Sequence, residues 1–341
     1  MIRDTAATAY SIDTGSDPVE VREPLVVRAN QGDCLEVTLT NTTAVRASFQ
    51  LGKLLFDPQG SYGSAIGFDR DSTVASGASR TYRFYADQEV GIGLLYNLAN
   101  PDSLPRGAYG AVVVEPAGSQ YLDPVTGTPI DSGVIAEIST PGGPFREMVV
   151  LFSDEDTDIG QNVMPYPTAI AGTSGMSYSR EDLADRNSGS DPSQVFSSSV
   201  HQDPRLLLQA EADIPVTIRV GQPFGEQTHV FSVEGHRFAQ DSGMAGSELL
   251  SAQILVPGMS FDATLLNGAG AGFQFEGDYL IFDNRDPFTE TGLWGLLRVG
   301  AGGDPPMCML AQVGESCLND SDCCSDSCSG GRPADRVCLA N

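Results

Sequence analysis

The sequence predicts an all-β protein: two sandwich domains in tandem, followed by a small disulfide-rich module. Three observations predict it. The chain holds 38 Gly and 21 Pro in 341 residues, and its apolar runs are short and bounded by Gly, Asp, Asn and Ser, as strands joined by turns are. A strand pair in Leu25 to Leu39 recurs in Leu206 to Val220, so the chain repeats its own plan. Six of the seven cysteines fall within the 31 residues from Cys308 to Cys338. With 40% hydrophobic and 8% aromatic residues, a chain of this length has ample core for two or three domains.

The first domain is placed at residues 1–118. In LVVRANQGDCLEVTLTN (25–41) the turn Gln31-Gly32-Asp33 separates two strands, and Leu35, Val37 and Leu39 alternate with polar residues as one face of a half-buried sheet does. Tyr82 to Tyr85 reads as a later strand and Ala111 to Val114 as the last buried one. Cys34, at the mouth of a strand, reads as a buried free thiol, with an interchain disulfide as the alternative. Residues 119–145, rich in Gly, Pro, Asp and Thr, read as a loosely packed linker.

The second domain is placed at residues 146–300. Glu147 to Phe152 is a continuous apolar strand running into Asp154, Asp156 and Asp158, with Gly160 just beyond. Alternate aspartates before a glycine can converge on calcium, because a turn folds hard oxygen donors to one side. The glycine comes one place late and no glutamate closes the loop, so a solvated acidic loop competes with that reading. Residues 160–204 show no strand pattern and read as a long loop, a candidate partner surface.

Composition excludes some functions. A formal charge of −26 repels phosphate, so neither nucleic acid nor anionic lipid is an expected partner. No run approaches the roughly 18 apolar residues of a membrane helix, so no membrane insertion is expected. Residues 1–20 lack the charged start and apolar run of a signal peptide.

Both sandwich segments carry motifs that resemble those of the multicopper oxidases. GDYLIFDNRDPFTETGLWGLLRV (277–299) is similar in layout to the family's last copper loop, which runs His-Cys-His, three residues, His, three residues, then Gly-Met or Gly-Leu. On that spacing Phe282, Asp283 and Asn284 stand for His-Cys-His, Phe288 for the next histidine, and Gly292-Leu293 closes the loop. THVFSVEGHRF (228–238) resembles the family's His-Pro-x-His-x-His-Gly-His. His229 matches the first histidine, Ser232 and Glu234 replace the second and third, and His236 matches the last. In the first domain the resemblance puts Ser48, Gln50, Tyr96 and Leu98 at histidine positions, and residues 1–118 contain no histidine.

The resemblance implies two cupredoxin-like Greek-key β-sandwiches in tandem whose copper ligands have been replaced. A type 1 copper site needs two histidines and a cysteine thiolate, and His229 alone survives of that set. Copper is therefore expected to be absent and no cofactor is expected, calcium at Asp154, Asp156 and Asp158 being the one possible exception. His229, Glu234 and Asp283, the degenerate copper-site positions, could form a hard-donor site for another ion; the competing reading pairs the carboxylates with Arg237 or Arg285. Trp294 reads as core.

Residues 301–341 resemble a knottin. Cys308, Cys317, Cys323, Cys324, Cys328 and Cys338 are separated by eight, five, zero, three and nine residues, and six cysteines allow fifteen pairings. The resemblance implies Cys308 to Cys324, Cys317 to Cys328 and Cys323 to Cys338. Disulfides at this density stabilise a module too small to fold on buried area, and they require an oxidising compartment. The expected protein is a secreted or cell-surface, non-catalytic structural or interaction protein with a protein partner or self-assembly. Two alternatives stay open: a copper-free portion of a larger multicopper metal-ion oxidase, and a cation-binding or inhibitory module.

Overall fold

The computed structural model describes residues 23–156, 172–197 and 207–300, apart from 101, 102, 106, 180, 187–190 and 271–273. Among them, the first domain contains β1 (Leu25–Asn30), β2 (Cys34–Thr40), β3 (Gln50–Leu51), β4 (Leu55–Phe56), β5 (Ser79–Tyr85), β6 (Gly91–Tyr96) and β7 (Tyr109–Glu115). A one-turn helix, α1 (Pro58–Ser61), follows β4; Asp57 caps it by accepting the Gln59 N–H at 3.0 Å. The strands form two sheets, ordered β1-β7-β6-β3 and β2-β5-β4. β1 pairs in parallel with β7 rather than with β2, the crossover expected of a Greek key. Leu35, Phe49, Leu51, Tyr82, Phe84, Val112 and Val114 fill the space between these sheets.

The second domain repeats the plan on a larger scale. It contains β8 (Gln120–Leu122), β9 (Ile135–Thr140), β10 (Gly143–Asp156), β11 (Gly172–Met176), β12 (Leu207–Glu211), β13 (Val216–Gly221) and β14 (His229–Val233). Two short strands, β15 (Phe238–Ala239) and β16 (Leu249–Leu250), precede β17 (Ala252–Leu255), β18 (Ser260–Thr264), β19 (Gly277–Asp283) and β20 (Trp294–Gly300). One sheet runs β18-β13-β10-β9-β8 with β11 on β10, the other β12-β20-β19-β14-β17. β12 lies parallel to β20 as β1 does to β7, which confirms the internal repeat. Short helices α2 (Leu183–Arg186) and α3 (Asp286–Glu290) complete the described elements.

Two expectations are corrected. Residues 119–145 are not a loosely packed linker: β8 and β9 lie within them and extend the second domain's sheet, with Ala136 and Ile138 fully buried. Dense turn residues on either side hide this short alternation. Within 160–204, Gly172–Met176 pairs antiparallel with β10 from Phe152↔Met176 to Asp156↔Gly172. GTSGM has no apolar alternation to read; backbone pairing holds it, and Ser174 donates to the Phe288 carbonyl at 3.0 Å.

The continuous apolar run of β10 has a two-sided explanation. Met148, Val150 and Phe152 face the second domain's core with Ile218, Phe231 and Leu297. Val149 and Leu151 face the other way and pack with Val134 against Val26, Ile92, Leu94, Tyr109, Ala111 and Val113 of the first domain. β7 is likewise buried along its whole length. The two domains therefore form a stack of four sheets with three apolar seams. Approach across the middle seam is close: a Cβ on Gly221 would lie 2.6 Å from a Leu94 methyl.

Because Leu151 is fully buried among apolar side chains of the middle seam, Leu151→Ala is expected to cost about 2–5 kcal/mol, the range for a leucine truncated in a packed core. Denaturant unfolding reads this, and a loss under about 1 kcal/mol would show that the domains touch without packing.

Candidate functional site

The carboxylates and histidine singled out by the sequence meet at one end of the second sandwich. His229 opens β14, Asp283 closes β19, and Asp154 comes from β10 in the opposite sheet. His229 and Asp283 are fully buried and Asp154 is 3% exposed. The imidazole lies between the two carboxylates, Nδ1 at 2.6 Å from Asp283 Oδ2 and Nε2 at 2.9 Å from Asp154 Oδ1.

Each carboxylate is also held by donors of its own. Asp283 Oδ1 accepts the backbone N–H groups of Val230 at 2.8 Å and Arg285 at 3.0 Å. Asp154 accepts from Gln222 Nε2 at 3.2 Å and from the Glu226 N–H at 3.1 Å. An imidazole facing an acceptor at each nitrogen bonds both only when both nitrogens carry protons. Burial pulls the His229 pKa down, but the hydrogen bonds and charges of Asp154 and Asp283 outweigh it and raise it above the ordinary 6.5. Phe152 and Phe288 present ring edges to the imidazole at centroid distances of 6.0 and 4.7 Å and wall it from water.

The remaining positions divide differently from the expectation. Glu234 is exposed and its N–H bonds the Leu280 carbonyl, so it does not join His229 and Asp283; Asp154 takes that place. Among the described residues no arginine side chain pairs with these carboxylates. The Arg285 side chain donates to the Thr228 carbonyl and lies over the Phe288 ring at 4.6 Å, and Arg237 is exposed. The calcium reading loses Asp154 to the interior. β10 stays extended through Asp156 instead of turning, and Asp158 lies outside the described residues. Among the described residues no three His, Cys, Asp or Glu side chains converge as a metal-binding group; Asp154 and Asp283 converge on an imidazole instead.

His236 lies near Tyr279, its Nδ1 donating to the Glu234 carbonyl at 2.8 Å while Nε2 accepts the Gly270 N–H at 3.1 Å. Burial holds its pKa below 6.5, so it is a neutral structural histidine. In the first domain Gln50 stands directly opposite Tyr96, and burial pushes the Tyr96 phenol up to about 12. Ser48 donates its N–H to Asn97 Oδ1 at 2.9 Å and accepts the Ala99 N–H at 3.0 Å. Trp294 is core, 1% exposed, with the Arg186 guanidinium 4.3 Å from its ring centre. Cys34 is a free thiol but an exposed one, since its place in β2 puts it beside Tyr85 on the outer face. Cys308, Cys317, Cys323, Cys324, Cys328 and Cys338 lie outside the described residues.

Sequence reasoning missed Asp154 as the partner of His229, because the two are 75 residues apart and no motif links them. It also missed a buried charge cluster in the middle seam, formed by Arg28, Glu115, Glu147, Arg219 and Asp262. A signal existed: Arg28 in LVVRAN and Arg219 in VTIRVG are the only charged residues of two largely apolar strands.

No family model matches the chain, and neither does any curated protein. Solved structures do. A copper nitrite reductase from Nitrosomonas europaea superposes with a TM-score of 0.57 at 16% identity, covering 82% of this chain and 84% of that one. A multicopper oxidase gives 0.52 at 17% identity, covering 81% and 78%. The blue copper oxidase of Nitrosomonas europaea gives 0.53 at 16%, covering 84% and 80%. These define the class by fold: the chain is an all-β protein of cupredoxin-like domains. At such identities the likeness extends to the fold alone.

Removing the imidazolium leaves two buried carboxylates without their shared counter-charge, so His229→Ala is expected to cost about 3–5 kcal/mol in denaturant unfolding. The pH dependence has a definite sign. Because the folded pKa of His229 is raised, its contribution is complete below the unfolded value of 6.5 and is lost as pH rises through the folded value. A His229→Gln variant should lack that alkaline loss; an unchanged profile would show that the imidazole is neutral.

Proposed function

We propose that this chain is a secreted, copper-free structural or interaction protein built on cupredoxin-like domains, acting through a protein partner or self-assembly. The observation that carries the reading is the commitment of both His229 nitrogens to buried carboxylates, at 2.6 and 2.9 Å. Type 1 copper at this position would need a free lone pair on that imidazole, a thiolate and a second imidazole. Asp283 and Phe288 stand where the resemblance puts the thiolate and the second imidazole. The residues present do not fit the ion. A fully buried clamp also offers no access to a substrate, so it supports a structural role over a catalytic one.

The secreted assignment rests on the tail, whose cysteine spacing resembles a knottin and would require oxidising conditions.

The test is to incubate purified protein with copper(II), desalt it, and measure metal content and visible absorbance. The expected result is less than stoichiometric copper and no thiolate-to-copper band; a stoichiometric blue protein would overturn the proposal. Sedimentation across a concentration series reads the assembly half, which a strictly monomeric protein would remove.

Alkylation followed by intact-mass measurement tests the oxidised tail. One thiol, Cys34, is expected to react without reductant and all seven after reduction in denaturant. Seven reactive thiols in the unreduced secreted protein would exclude the disulfide module.

A further inference from the structure

The middle seam buries five ionisable side chains that do not balance. From the first domain come Arg28 on β1 and Glu115 on β7; from the second come Glu147 on β10, Arg219 on β13 and Asp262 on β18. Arg28 donates to Glu147 and, at 2.9 Å, to the Gly133 carbonyl. Arg219 reaches three carboxylates at once: Glu115, Glu147 at 3.1 Å and Asp262 at 2.8 Å. Side-chain exposure runs from 0% at Glu147 to 17% at Asp262. Three carboxylates thus face two guanidinium groups in a place nearly closed to water.

Other charges face the cluster without closing the gap. Lys53, the chain's only lysine, feels the Asp262 charge but donates to the carbonyls of Ile92 at 2.6 Å and Ser260 at 3.4 Å. Glu89 adds a further negative charge near Glu115. Tyr121 packs under Arg28 at 5.2 Å and donates its hydroxyl to the Ala29 carbonyl, leaving the carboxylates unanswered.

We propose that this cluster is a proton-operated clasp between the two domains, closed while one of its three carboxylates, Glu115, carries a proton and loosened when that proton leaves. With Glu115 neutral, two guanidinium groups face two carboxylates, and Arg219 still donates to the acid's carbonyl oxygen. With Glu115 ionised, one buried negative charge is left over, which is costly in a dry seam. Burial, reinforced by Glu147, Asp262 and Glu89 and opposed by Arg219, pushes the Glu115 carboxyl up to about 7. Arg219 stays charged, because the three carboxylates outweigh its burial. A raised carboxyl contributes stability that is complete below its ordinary 4.5 and is lost as pH rises through about 7.

His229 titrates in the same direction and His236 in the opposite one, so the informative quantity is the difference between the wild type and Glu115→Gln, whose amide imitates the protonated acid. Between about pH 5 and pH 8.5 the wild-type unfolding constant should rise on the order of a hundredfold more than that of the variant. Small-angle scattering should show the wild type, but not the variant, expanding over the same window while still folded. Parallel stability profiles, or unchanged dimensions in the wild type, would overturn the clasp. Should Glu115→Gln fail to fold, Asp262→Asn supplies the test: it removes a neighbouring negative charge, and a wild-type midpoint that does not move to lower pH in this variant would overturn the assignment.

Discussion

The burial of β10 on both faces is the constraint on which the rest of the structure depends. A strand in one sandwich has a core side and a water side, and its residues alternate accordingly. Here the water side is covered by another domain, so Val149 and Leu151 pack as tightly as Met148, Val150 and Phe152. Once one strand serves two seams, its neighbours in the sheet are drawn in. β9 and β13 flank it in the sheet, and β7 on the facing sheet is buried along its whole length, Glu115 included. The middle seam is apolar where Leu94, Val149 and Leu151 meet, as the cores are, and it is charged where Arg28, Glu115, Glu147, Arg219 and Asp262 meet.

Such a seam makes its exceptions expensive, which gives meaning to the charges inside it. Buried ions are tolerated when each finds a partner of opposite sign and further hydrogen bonds. The second sandwich meets that condition with an imidazolium between two carboxylates, each stabilised by backbone or amide donors. The middle seam meets it less fully, with Arg28 Nε left without a hydrogen-bond partner and three carboxylates against two guanidinium groups. Both sites hold one carboxylate more than they hold cations, but Asp154 and Asp283 each take further backbone or amide donors, whereas the Glu115 carboxylate is held by Arg219. That contrast separates a structural pin from a site whose charge state can change near neutral pH.

Much of the fold was legible in the sequence, and the physical reasons divide cleanly. Leu35 is buried between exposed Cys34 and Glu36, and the repeat of β1 with β7 in β12 with β20 follows segments that resemble each other. Period-two patterning exposes strands with one wet face. It fails where that condition fails: β11 is held by backbone pairing and the buried Ser174, and β9 is too surrounded by turn residues to declare itself. Site residues were legible singly but not as a set. His229 and Asp283 could be located by loop spacing, whereas Asp154 reaches them from the opposite sheet, at a distance that only the closure of the sandwich sets. Reading Asp154 with Asp156 assumed a turn where the chain is a strand.

The loop Gly277 to Val299 has a spacing that serves packing. It ends β19 at Asp283, sends α3 across the end of the sandwich so that Phe288 covers the imidazole, and returns through Leu293 to seat Trp294 in β20. A bound metal ties the strands that supply its ligands, and its binding energy becomes folding energy. The carboxylate–imidazolium–carboxylate bridge makes the same tie by other means, joining β10 of one sheet to β14 and β19 of the other. His229 is the positive centre of that bridge, with Asp283 holding its Nδ1 and Phe288 covering the ring.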